Sequence, residues 1–123
     1  MRLIEPQLLE RDRQLLVGAF IRFPWVRKVR LFGSRARGEI RRASDIDLAI
    51  EAPEATDIDW ARLAAVLEEL PIILRIDPVR LDPSVSTALR EQIDRDGIVL
   101  YPAPHVVKRD LLESKECADQ YRR

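Results

Sequence analysis

The chain has 123 residues, a common size for one domain, of which 46% are hydrophobic and 34% are charged. This composition excludes a chain that is disordered throughout, and no apolar run approaches the roughly 18 residues of a membrane span. Basic and acidic residues both number 21, so the net charge is zero and provides no global attraction to nucleic acid or membranes. A single cysteine excludes an internal disulfide, and the charged N-terminus does not resemble a signal peptide, so we expect a cytoplasmic protein.

Alternating helix and strand signals predict an α/β domain, a small mixed β-sheet flanked by helices. A first helix is expected to start at Pro6 and to end near Phe23–Pro24. The later elements are expected to be a strand over Val26–Phe32, a strand over Asp45–Ile50, a helix capped by Asp57 or Asp59 and ending at Leu70, a strand over Ile72–Asp77, a helix over Val85–Asp96 and a strand over Ile98–Tyr101.

Residues 1–101 are therefore expected to form one domain, and residues 102–123 a polar C-terminal tail. A short helix around Val106–Asp119 is compatible with the tail sequence. Such a segment could become an amphipathic helix when it docks on a partner.

The charges balance overall but segregate along the chain. Between Arg22 and Arg42 there are eight basic residues against the single acid Glu39, and between Ala43 and Asp59 there are six acids and no base. Adjacent blocks of this kind suit a site that holds a polyphosphate together with divalent cations. Two solvated faces that pair with each other would give the same pattern, and the charge runs alone favour that simpler interpretation.

A cluster of aspartates is the strongest chemical signal. In the expected second strand, Asp45 and Asp47 share one face with their backbones about 7 Å apart, so that both carboxylates can converge on Mg²⁺. An isolated Asp-x-Asp is more often a pair of solvent-facing acids. Asp77, however, follows an apolar strand that can pair beside the second one, and it would bring a third carboxylate to the same end of the sheet.

A glycine-serine turn precedes these acids. Gly33 permits close approach of the backbone to a ligand, and Ser34 offers a hydroxyl and an N–H to phosphate oxygens. Arg35 and Arg37 lie two residues apart, so on a helical turn they point to different sides and at most one need face the ligand.

These residues resemble the DNA polymerase beta-like nucleotidyltransferase superfamily, most closely its minimal nucleotidyltransferase branch. The signature is Gly-Ser, ten residues and Asp-x-Asp, found here as Gly33-Ser34 and Asp45-Ile46-Asp47, and the resemblance extends from the first strand to Tyr101. It implies that Gly33 and Ser34 hold the nucleotide phosphates and that Arg37 orients the loop or touches phosphate.

The same resemblance implies a metal site. Asp45 and Asp47 would bind two Mg²⁺ ions, with Asp77 as a third acidic ligand and the catalytic base. Pro78 departs mildly from the family pattern, because a proline donates no ladder hydrogen bond and is expected to shorten pairing of the third strand.

Minimal members of this family are often antitoxins paired with a HEPN-domain toxin. The resemblance therefore implies transfer of AMP from ATP to a tyrosine of such a toxin. Two alternatives remain open at this point: a non-catalytic module that blocks its toxin by binding, and a nucleotidyltransferase for a small molecule such as an antibiotic. Nucleic acid is not the expected partner, since the basic block lacks interleaved aromatic residues, whereas a homo-oligomer is compatible with the sequence.

Overall fold

The computed structural model describes residues 8–38 and 45–102. In chain order the elements are α1 (Glu10–Ile21), β1 (Lys28–Phe32), β2 (Ile46–Glu51), α2 (Asp57–Glu68), β3 (Ile76–Arg80), α3 (Thr87–Asp96) and β4 (Ile98–Tyr101). The strands form one sheet in the order β3-β2-β1-β4, in which β2 and β3 are parallel while β1 runs antiparallel to both β2 and β4. This confirms the predicted α/β fold with a small mixed sheet. The expected start at Pro6 and the tail beyond Pro102 lie outside the described residues.

The two faces of the sheet are covered by different helices. Ile46, Leu48 and Ile50 of β2 are fully buried in the main core, which also includes residues of α1 and α2. The intervening Ala49 faces the other side, where it packs with Phe32 of β1 and Ile93 of α3. The alternation predicted for the second strand is thus confirmed, and it places Asp45 and Asp47 on the α3 side of the sheet.

Two helix starts differ from the prediction. α1 begins at Glu10, because Leu9 is extended (φ −62°, ψ 142°) and the preceding Leu8 is buried in the core. α2 is capped by Thr56 rather than by Asp57 or Asp59: the N–H of Asp59 donates to Thr56 Oγ1 at 3.0 Å, and the N–H of Thr56 donates to Asp59 Oδ2 at 2.9 Å. Asp59 is therefore the return partner of a capping box.

The third strand was predicted over Ile72–Asp77, but β3 spans Ile76–Arg80 and includes Pro78. The N–H of Ile46 donates to Arg75 O at 2.8 Å and that of Leu81 donates to Ile50 O at 3.0 Å. Odd-numbered residues of this segment thus direct their backbone groups toward β2. Pro78 directs its backbone to the free edge of the sheet, where a missing N–H breaks no ladder bond, so it does not shorten the pairing.

No helix within the described ranges is long and apolar enough to cross a membrane; the longest have 12 residues.

Candidate active site

The predicted site residues meet at one end of the sheet. Phe32, the last residue of β1, pairs with Asp47 of β2, and Asp47 pairs in register with Asp77 of β3. Residues that are directly opposite on neighbouring strands lie about 5 Å apart at Cα and project to the same face. Asp45 lies two residues before Asp47 and shares its face. The structure therefore brings the three aspartates to one end and one face of the sheet.

The electrostatic environment of Asp47 is unfavourable for its negative charge. Its side chain is half-buried, and this burial raises the pKa of Asp47. The negative charges of Asp77 and Asp45 raise this pKa further, whereas the Arg37 guanidinium lowers it by a smaller amount. The end of the sheet therefore carries acids whose mutual repulsion a cation would relieve.

The carboxylates at this end of the sheet are candidate ligands for Mg²⁺. Within residues 8–38 and 45–102, no three Asp, Glu, His or Cys side chains converge closely enough to hold a metal ion by themselves. Mg²⁺ rarely needs such a cage, because it commonly takes one or two carboxylates and completes its shell with water and substrate phosphates. Asp45 and Asp47 supply hard oxygen donors of that kind, so the donor set fits a magnesium ion that is shared with a phosphate ligand.

A turn over residues 33–38 packs directly against Asp47. It begins at Gly33 (φ +78°), ends at Gly38 (φ +82°), and is closed by the Arg37 N–H donating to Gly33 O at 3.2 Å. A Cβ atom at Gly33 would overlap the Asp47 Oδ2 atom and would lie 3.2 Å from Asp47 Cγ. Glycine is therefore required at position 33 for its backbone angle and also for the space that the carboxylate occupies.

The two arginines of this turn point to different environments, as the sequence predicted. Arg35 is buried, with 7% of its surface exposed, beside Ala36, which is part of the main core. Arg37 is more exposed, and its Nη1 lies 3.9 Å from Asp96 Oδ2. The positive charge of Arg37 also acts on Asp47, where it lowers the pKa of that carboxyl.

Asp96 is a residue that the sequence reasoning missed. It is the last residue of α3, and the pairing of Ile98 with Leu31 brings this helix end beside the end of β1. A signal was present in the sequence, because an acid directly before the helix-ending Gly97 opposes the helix dipole. That signal does not identify a partner, which depends on the packing of α3 across the sheet.

A cavity of about 430 Å³ lies beside β3. The end of α2, the segment that follows it and the start of β3 line this cavity, and Asp77 and Pro78 form part of the wall. None of its lining residues belongs to the 33–38 turn. The cavity is thus adjacent to the third aspartate and separate from the turn that packs on Asp47.

Comparison with known proteins identifies the family of the chain. A family model described as "Polymerase beta, Nucleotidyltransferase" matches residues 16–105. A search of curated proteins gave no match. Among solved structures, a protein provisionally assigned as a minimal nucleotidyltransferase is 36% identical, covering 76% of this chain and 93% of its own, with a TM-score of 0.58.

Two further similar structures come from toxin–antitoxin systems. One, described as a toxin–antitoxin with AMP-PNP, is 26% identical, with a TM-score of 0.61 and coverage of 90% of this chain and 87% of that one. The other, a mutant of the toxin–antitoxin MntA-HpeT, is 27% identical, with a TM-score of 0.58 and coverage of 94% and 88%. The family match spans most of the chain, including the turn and all three aspartates. The chain therefore belongs to the polymerase beta nucleotidyltransferase family and is a nucleotidyltransferase of the minimal type.

Proposed function

We propose that this protein is an antitoxin that transfers AMP from ATP to a tyrosine hydroxyl of a cognate HEPN-domain toxin. The observation that carries the proposal is the position of Asp47, in register with Asp77 and in contact with the Gly33 backbone. Two similar structures add support. One contains AMP-PNP, and the other is a mutant with two Asp→Glu changes two residues apart, the spacing of Asp45 and Asp47.

In this proposal, the turn and the aspartates have separate tasks. The Gly33 backbone and the Ser34 hydroxyl and N–H face the phosphates of ATP, and Arg37 adds a permanent positive charge. Asp45 and Asp47, with Asp77 beside them, hold Mg²⁺. When bound, Mg²⁺ supplies neutralisation of phosphate charge and a lower pKa for the acceptor hydroxyl.

The chemical step is an in-line displacement at the α-phosphorus of ATP. A bond forms between the acceptor oxygen and the α-phosphorus, while the bond from that phosphorus to the oxygen bridging to the β-phosphate breaks and pyrophosphate leaves. The proton of the acceptor hydroxyl passes to the Asp77 carboxylate. Asp77 is exposed, so a hydroxyl carried by a large partner can reach it.

A protein acceptor also agrees with the size of the domain. Residues 8–38 and 45–102 are occupied by one sheet and three helices, and none of these elements forms a separate domain for an acceptor. A folded toxin brings its own binding surface, so its modification needs no separate acceptor domain.

The test is intact-mass spectrometry of the cognate HEPN-domain toxin, the product of the neighbouring gene, after incubation with this protein, ATP and Mg²⁺. The Asp45→Asn/Asp47→Asn variant removes the metal-binding charges. Asp57→Asn is the matched control, because Asp57 pairs with Arg80 at 2.9 Å at the opposite end of β3. We expect the toxin to gain one or more AMP units with the wild type and with Asp57→Asn, and none with the double variant.

A Tyr→Phe series in the toxin then identifies the acceptor. A stable complex without any mass gain would refute AMP transfer and would favour an antitoxin that acts by binding alone. Mass gain on an antibiotic, with the toxin unmodified, would favour the small-molecule alternative.

A further inference from the structure

The end of α3 is linked to the 33–38 turn through Asp96. The Asp96 side chain is 16% exposed, and its Oδ2 atom lies 3.9 Å from Arg37 Nη1. Arg95 contacts both oxygens of the same carboxylate, with Nε 3.3 Å from Oδ1 and Nη2 3.2 Å from Oδ2. The Oδ2 atom is therefore shared between the guanidinium of its neighbour in sequence and that of Arg37.

The position of this acid is unfavourable for the helix alone. Asp96 is the last residue of α3, where the helix dipole is negative and a carboxylate is normally destabilising. Arg95, in the same last turn, carries the positive charge that stabilises the C-terminal end of a helix. The pair with Arg95 lies within the helix, whereas the contact with Arg37 links Asp96 to the 33–38 turn.

Acids from two parts of the chain act on Arg37. Asp96 Oδ2 lies 3.9 Å from Arg37 Nη1, and the Arg37 charge also reaches Asp47, where it lowers the pKa of that carboxyl. Arginine has a long side chain, and an exposed guanidinium samples many rotamers unless a partner restricts it. The contact with Asp96 is one such restraint, and it draws the guanidinium toward the end of α3.

From this geometry we infer that Asp96 is a positioning residue for nucleotide binding: it holds the Arg37 guanidinium where the phosphate of an incoming nucleoside triphosphate will lie. The inference rests on the proposed function, because it assumes that a nucleotide occupies the turn. Asp96 acts through Arg37 and does not itself touch the substrate.

The direct test is calorimetric binding of AMP-PNP with Mg²⁺ to the full chain in the absence of toxin. Asp96→Asn removes the charge and keeps the shape, and we expect it to weaken binding by about two- to fivefold, the range of a partly exposed ion pair. In the Arg37→Ala background the same change should have no further effect, because the group that Asp96 positions is gone. Asp96→Glu should restore part of the affinity.

A control on the same helix separates positioning from general stability. Asp94 pairs with Arg30 at 3.1 Å and is 64% exposed, so Asp94→Asn also removes an ion pair of α3. We expect it to leave AMP-PNP binding unchanged. In the transfer assay, Asp96→Asn should raise KM for ATP, while kcat stays within about twofold of the wild-type value. This is the expected result when the lost interaction stabilises the ground state and the transition state equally.

The outcomes distinguish this inference from the proposed function. Tighter AMP-PNP binding by Asp96→Asn would mean that Asp96 competes with phosphate for Arg37. An equal effect of Asp96→Asn on affinity in the wild-type and Arg37→Ala backgrounds would mean that Asp96 has a structural role. Either result overturns the inference. AMP-PNP binding without AMP transfer to the toxin overturns the proposed transfer alone. A wild-type protein that binds no AMP-PNP overturns both.

Discussion

The contact between Gly33 and Asp47 leads to a prediction with an internal control. Gly33 and Gly38 both have a positive φ, 78° and 82°, so replacement of either by alanine forces a side chain into the left-handed region. This costs about 1–2 kcal/mol at each position. Among the residues that the structure describes, an added Cβ at Gly38 meets nothing within 4 Å, whereas at Gly33 it would overlap the Asp47 carboxylate. The difference between the two variants therefore isolates the contact with Asp47.

The overlap is relieved most cheaply by rotation of the Asp47 side chain, since its carboxylate is the group in the way. A forced rotamer change costs about 0.5–1.5 kcal/mol. We therefore expect Gly38→Ala to lose about 1–2 kcal/mol of unfolding free energy and Gly33→Ala about 2–3 kcal/mol. At about 4 °C per kcal/mol, the melting temperatures of the two variants should differ by several degrees.

Activity should separate the variants much more strongly than stability. A metal-binding carboxylate displaced by about 1 Å can reduce a rate by about a hundredfold, so Gly33→Ala should lose nearly all AMP transfer, while Gly38→Ala keeps most of it. The assay is toxin modification measured well below both melting temperatures. Equal transfer by the two variants would refute the idea that Gly33 makes room for the Asp47 carboxylate. A Gly33→Ala/Asp47→Ala variant that is more stable than the sum of the single changes predicts would confirm the overlap directly.

Two further predictions concern stability. The pKa of Asp47 is raised in the folded protein, so its ionisation opposes folding, and the free energy of unfolding that it contributes falls as pH rises through the folded pKa. Asp47→Asn should therefore raise the melting temperature in EDTA at pH 7–8. This gain should disappear below about pH 4, the range in which an ordinary aspartate becomes protonated. A gain that does not change with pH would contradict the raised pKa of Asp47 as its cause. Thr56→Ala removes the capping box of α2 and should lower the free energy of unfolding in urea by about 1 kcal/mol. We expect the affinity for AMP-PNP to stay the same. Weaker AMP-PNP binding would show that α2 supports the site.

Local patterns were sufficient to predict most of the fold. The period-2 alternation of Ile46, Leu48 and Ile50 is a property of one segment, and burial confirms it. The boundaries of β2, α3 and β4 also agree with the sequence to within two residues. Patterns of this kind are reliable because one face of each element must be apolar wherever the element finally packs.

The third strand shows where local information fails. Ile72–Leu74 have the composition of a strand, yet they form the connection after α2, and Ile73 is 99% exposed. The strand instead continues through Pro78, which sequence rules disfavour inside a sheet. Whether proline is tolerated depends on the strand lying at the edge with its backbone turned outward, and this is fixed by the sheet order rather than by the segment itself.

The site was predictable where it depends on spacing and not where it depends on packing. The interval from Gly33-Ser34 to Asp45 and Asp47 is visible in the sequence, and the structure brings Gly33 against Asp47 at the end of β1. Asp96 is about sixty residues away from Arg37 along the chain, and no local rule connects them. Their proximity follows from the return of the chain through α3 to β4, which pairs beside β1.

Three features that break local rules occur at the same end of the sheet. Gly33 has a backbone angle that other residues avoid, Asp47 is half-buried beside two further acids, and Asp96 opposes the dipole of its own helix. Each lowers stability by itself, and they come from three separate parts of the chain. Functional sites are the places where departures from local rules are expected. The convergence of these three features is thus an argument for the site that does not depend on the family motif.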